Sequence, residues 1–144
     1  MRTLFGLLLL LAAPAAHASE DTPFPFDIPT MHEEAETAGI KHRYSGPWEY
    51  FVGGGVASFD CNGDRMPDVF LAGGAEPAGL YVNRSATGGP LRFEEHDTGL
   101  SPRDAKKILG AYPADIDNDA YTDLVLLRLG QNIILKGGPD CTFT

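Results

Sequence analysis

Seven of the chain's 20 acidic residues fall in two nine-residue windows, and the spacing inside the two windows is the same. Asp60, Asn62, Asp64 and Asp68 occupy positions 1, 3, 5 and 9 of the first; Asp115, Asp117, Asp119 and Asp123 occupy those positions of the second. An all-oxygen ligand set carried on one short segment suits a hard divalent cation, which needs six to eight oxygens. Alternate side chains turn inward as the backbone curls. Position 7 (Met66, Tyr121) offers a backbone carbonyl, and position 9 ties the ion to the strand that follows. Gly63 and Asn118-Asp119 tolerate the tight or left-handed backbone that such curling demands. Without a cation, carboxylates packed this closely repel one another. Two structural calcium sites are therefore expected; magnesium keeps its waters and rarely accepts an all-protein cage. Asn62 leaves the first loop one charge poorer, so weaker binding is expected there. An EF-hand needs a bidentate Glu at position 12 and flanking helices. Position 12 is Leu71 or Leu126, each in an apolar strand-like run, so that reading fails. A plain Asx-rich surface turn explains one such loop but not the same pattern twice.

Other residues offer less. Gly53-Gly54-Gly55 lacks the Lys-Ser/Thr of a phosphate cradle, and a close strand approach or bulge is expected. His32, His42 and His96 lack metal-ligand spacing, and Ser45 and Ser58 lack a nucleophile-elbow context. Asn83-Arg84-Ser85 fits a glycosylation triplet, a weak signal. Trp48, Tyr50 and Phe51 form an aromatic cluster that reads either as core or as a ligand-contacting rim. No base–nucleophile pair emerges, so no enzyme is expected.

The elements that must position the Asp loops come as a repeat. The stretch from Ala57 to Leu71 aligns with that from Tyr112 to Leu126 at an offset of 55 residues. Each continues through an apolar strand and a Gly turn to a second apolar cluster, Leu80-Tyr81-Val82 or Ile133-Ile134-Leu135, then to an isolated Phe93 or Phe143. Ala38-Gly39-Ile40 is echoed by Thr98-Gly99-Leu100. The 17 Gly and 11 Pro punctuate short apolar runs throughout, as in an all-β chain. Four short antiparallel strands in about 55 residues is the size of one propeller blade. The spacing predicts two blades in an incomplete ring, with units at 37–100 and 101–144, the second cut off at its fourth strand. Stacked repeats generally need at least three neighbours, so the chain reads as a piece of a longer protein or as one that assembles with others. Residues 19–36 form an extended or helical lead-in: Thr30-Met31-His32-Glu33 matches a capping box before a short helix that Gly39 would stop. Ser101-Pro102-Arg103-Asp104 predicts a helical turn.

The N-terminus predicts export. Arg2, an apolar run from Leu4 to Ala13 and the Ala16-His17-Ala18 pattern read as a signal peptide over 1–18, too short to span a bilayer. The net charge of −9 becomes −10 once Arg2 is removed, which argues against nucleic-acid partners. Export would place Cys61 and Cys141 where a disulfide can form, but two cysteines do not establish one.

The Phe59-Asp60-x-Asn62-Gly63-Asp64-x-x-Pro67-Asp68 segment and its counterpart from Asp115 to Leu124 resemble FG-GAP/VCBS repeats. Gly53-Gly54-Gly55-Val56, Leu80-Tyr81-x-Asn83 and Phe93 before Thr98-Gly99-Leu100 are similar to bacterial cartilage-acidic-protein-like chains that often end in an ASPIC/UnbV domain. The resemblance covers roughly 37–144. It implies blades of an integrin-α-like propeller, structural Ca²⁺ on the eight Asp and Asn positions, and partner binding at the blade ends by an extracellular protein or a glycan. Arg65 and Ala120 depart from the Gly that usually follows the third ligand.

Overall fold

In a computed structural model, which describes residues 29–144, the first unit folds as an antiparallel meander in the order β1-β2-β3-β4. The strands are β1 (Val56–Phe59), β2 (Asp68–Leu71), β3 (Gly79–Asn83) and β4 (Phe93–His96). Burial alternates along β1 and β2, so that Ala57, Phe59 and Phe70 point to one face while Val56 and Ser58 point away. This is the period-2 signature of a sheet buried on one side. β3 is buried at every position, because its second face is also covered. There the rings of Tyr81 and His42 meet edge to face at 6.2 Å, and His42 Nε2 lies 2.9 Å from the Ala72 carbonyl oxygen.

The second unit repeats the plan with β5 (Ile108–Ala114), β6 (Asp123–Arg128) and β7 (Ile133–Leu135), paired antiparallel in that order. Where a fourth strand was expected, Phe143 makes a single antiparallel bridge to Gly137. Among the described residues the architecture is all-β, two antiparallel sheets of four and three strands with almost no helix and no closed ring.

The core lies between the sheets. Phe59, Phe70, Leu80 and Val82 from the first pack with Ile108, Leu124 and Leu126 from the second. Phe143 closes one side, its ring edge-on to Phe59 at 6.2 Å. Each fully buried side chain of this size stabilises the fold by about 1.5–3 kcal/mol. β1 and β5 adjoin where the glycine run precedes β1: the Gly55 N–H donates to the Leu109 carbonyl at 3.0 Å. A Cβ on Gly55 would stand 2.7 Å from Gly110 Cα. Gly55 is thus a close backbone approach, as the sequence suggested, while Gly53 and Gly54 lie against the Tyr44 ring.

The short echo around Gly39 and Gly99 has a structural counterpart. Gly39 adopts φ +94°, and a Cβ there would meet the Phe93 carbonyl oxygen at 2.6 Å; the Ala38 carbonyl accepts the Phe93 N–H at 2.7 Å. Gly99, at φ +71°, presses in the same way on the backbone of Phe143. Each sheet therefore has its outermost element met by a left-handed glycine from the segment that precedes that sheet.

The lead-in differs from expectation. Thr30 caps no helix; residues 35–39 make one turn, held by Ala38 N–H to Glu34 carbonyl and Ile40 N–H to Ala35 carbonyl, each 2.8 Å. The cap is the Glu33 carboxylate, which accepts the Ala35 N–H at 2.7 Å. A left-handed glycine one turn later leaves no room for propagation. The turn at Ser101 forms as read, with Ser101 Oγ accepting the Asp104 N–H at 3.1 Å. The signal peptide at 1–18 and nearly all of the Pro-rich stretch at 19–29 lie outside the described residues. Among those described, no helix is long and apolar enough to cross a membrane.

Candidate metal centre

Each Asp loop joins the first two strands of its sheet, residues 60–67 between β1 and β2 and residues 115–122 between β5 and β6. In the first, the side chains curl inward by accepting the loop's own N–H groups. Asp60 accepts from Gly63 at 2.7 Å and Arg65 at 2.8 Å; Asn62 accepts from Asp64 at 3.0 Å; Asp64 accepts from Met66 at 2.7 Å. The Asn62 amide also donates to Asp64 at 2.9 Å. Gly63 and Arg65 carry the positive φ values that this curl requires, 77° and 69°. The second loop repeats the scheme: Asp115 accepts from Asp119 and Ala120, and Asp119 from Tyr121 at 3.0 Å, with positive φ at Asn118 and Ala120. Arg65 and Ala120 thus adopt the backbone that a glycine usually supplies.

Position 9 is different from the rest. Asp68 and Asp123 are buried, 0% and 2% exposed, while the other loop carboxylates are half-buried or exposed. Asp68 Oδ2 accepts the Cys61 N–H at 2.9 Å, and Oδ1 accepts the Asn83 N–H at 2.8 Å. Asp123 accepts the Ile116 and Gly137 N–H groups, each at 2.8 Å. In both sheets this carboxylate fastens position 2 of the loop to the end of the third strand (Asn83) or to the residue two beyond it (Gly137). Burial raises the pKa of Asp68, an effect opposed by the two backbone N–H bonds from Asn83 and Cys61.

The two loops offer a cation different settings. Oxygens of Asp115, Asp117 and Asp123 lie within 4.8 Å of one another. Ligands of one calcium ion, each 2.3–2.6 Å from it, fall within about 5 Å of one another, so this trio fits. Around Asp68 the close group is instead Cys61 and Cys141, whose sulfurs lie 2.9 and 3.8 Å from its Oδ2. Those cysteines form a disulfide, with Cα atoms 4.8 Å apart across 80 residues of sequence, and so are not metal ligands. Asp60, Asn62 and Asp64 sit ahead of this buried clamp with oxygens toward the loop interior. A carboxylate has about four lone-pair sites, so the N–H bonds already made leave capacity for an ion.

Two residues at these loops were not marked as site residues by the sequence. Cys141 follows β7 and covalently fixes Cys61, position 2 of the first loop. Lys136, just after β7, forms ion pairs with Asp117 and, at 2.9 Å, with Asp119. The hydrogen bond to Asp117 is the main influence holding the Lys136 ammonium charged well above the usual lysine range. Lys136 in turn lowers the pKa of Asp119. The one available signal was that Lys136 and Arg128 are the only basic residues after Lys107.

Residues 60–126 carry an FG-GAP-like repeat. The match begins at Asp60, position 1 of the first loop, and runs through the second loop into β6, so it takes in both Asp loops. Such a repeat suggests a β-propeller-like interaction module. No curated protein and no solved structure matches the chain.

The remaining motifs resolve simply. Asn83 is buried, donating to the Pro67 carbonyl at 3.0 Å and accepting the Ser85 N–H at 2.9 Å, so its triplet is not presented for glycosylation. Of the aromatic cluster only Tyr50 is buried; Trp48 and Phe51 are 83% and 90% exposed, which corrects the core reading for those two.

Proposed function

We propose that the two sheets are successive blades of a β-propeller-type module, that both Asp loops hold structural calcium, and that the exported protein is a non-catalytic scaffold for an extracellular protein or glycan. The observation that carries this reading is the repeated position-9 clamp. In each sheet the same carboxylate that ends the loop also reaches the end of the third strand or the residues just after it, so an ion gathered by the loop would stiffen the strand arrangement. The convergence of Asp115, Asp117 and Asp123 supports the second site directly, and the FG-GAP-like repeat supports the architecture. Asp60, Asn62, Asp64 and Asp68, with the Met66 carbonyl, would form the first site; Asp119 and the Tyr121 carbonyl would complete the second.

An ion that binds folded loops and not the unfolded chain adds about 2.7 kcal/mol of stability at a hundred times its Kd. Chelation by EDTA should lower the Tm and excess calcium should restore it. A melt indifferent to both would refute the calcium reading. Export is tested separately: the mature protein should begin at Ser19, and an intact mass that retains residues 1–18 would count against it.

A further inference from the structure

We infer that Lys136 is a tethered cation for the second Asp loop, holding it folded when no ion is bound and having to leave before a divalent ion can enter. The inference rests on the calcium reading above. Its basis is positional. The side chain reaches Asp117 and Asp119, positions 3 and 5 of the loop, so one ammonium bridges two of the four carboxylates whose mutual repulsion an ion would relieve. The backbone of Lys136 is fixed independently, its N–H donating to the Thr144 carbonyl at 2.8 Å and its carbonyl accepting the Thr144 N–H at 3.0 Å. The root of the side chain is thus held beside the loop, while the side chain itself is 53% exposed and free to swing into solvent.

The first loop has no such device. Val69 pairs with Tyr81 in the first sheet as Leu124 pairs with Leu135 in the second, which makes Val82 the register equivalent of Lys136. Val82 is buried in the core and carries no charge. The first loop has Asn62 where the second has Asp117, so it has one carboxylate fewer; the second has one more, offset by Lys136. Counting charge in this way, the two loops present the same net −3 to an entering ion. The ordering of affinities expected from ligand charge alone then disappears. What distinguishes the sites is that ion entry at the second must break two ion pairs, and at the first must break none with a lysine.

Lys136→Gln removes the ammonium and leaves the backbone pairing intact. In an Asp64→Ala background, which takes a ligand from the first loop, isothermal calcium titration reads the second loop alone. Removing one unit charge that pairs directly with two carboxylates near the surface should tighten that site by about five- to tenfold or more. In EDTA the same Lys136→Gln change should lower the Tm, and in saturating calcium the deficit should vanish. Equal calcium affinity with and without the lysine, or a Tm deficit that persists unchanged in calcium, overturns the inference and leaves the calcium reading standing. Absence of calcium binding in both proteins overturns the two together. Calcium binding that appears only in the Lys136→Gln protein supports the inference.

Discussion

Asp68 and Asp123 each accept two backbone N–H groups from different elements, and both oxygens are needed as acceptors. An asparagine has one acceptor oxygen and would turn its NH₂ group toward the second N–H, leaving two donors facing each other in a buried site. Asp68→Asn and Asp123→Asn should therefore destabilise the protein by about 1–3 kcal/mol even in EDTA. Urea unfolding measures this; undiminished stability in EDTA would mean that the carboxylate matters only to an ion. The loss should be smaller at Asp60 or Asp64, where the loop is exposed and water can replace the missing acceptor. The sequence displayed the 1-3-5-9 spacing but not this division of labour. Spacing along one loop says which side chains turn inward. It does not reveal that position 9 also meets an amide 14 or 15 residues further on, because that contact depends on how the third strand pairs.

At the scale of the elements, the left-handed glycines that meet the outermost part of each sheet set a sharper demand than those inside the loops. Gly39→Ala puts a methyl group against the Phe93 carbonyl as well as forcing a positive φ, whereas Gly63→Ala meets nothing within 4 Å at φ +77°. Gly63→Ala should cost about 1–2 kcal/mol from the backbone alone; Gly39→Ala should cost clearly more, and comparable losses in thermal unfolding would contradict the contact described. Strands β1 to β7 were legible because each Asp loop fixes where one strand stops and the next starts, and because apolar alternation has the right period. The lead-in was misread for a local reason. Thr30 and Glu33 satisfy a capping pattern, yet Glu33 caps the following turn itself and Gly39 ends it. Trp48 and Phe51 were equally undecidable: an aromatic residue reads the same in sequence whether its side chain enters a core or stands in solvent.

On the scale of the molecule, two sheets that share one core are also joined by a covalent bond between the first loop and the segment after β7. The cysteines lie too far apart in sequence for spacing to decide their pairing, which only the packing of one sheet on the other brings about. Replacing both with alanine should cost about 2–5 kcal/mol, since the bond closes a long loop in the unfolded chain. It should also loosen the first Asp loop more than the second, which a calcium titration of each loop would show. The connection between β3 and β4 is exposed from residue 86 to residue 92 and falls inside the span that this bond encloses. A protease cut there would leave both peptides in one particle of unchanged mass on a non-reducing gel, and only a thiol would part them. Nicked molecules would thus pass as intact ones in an oxidising environment.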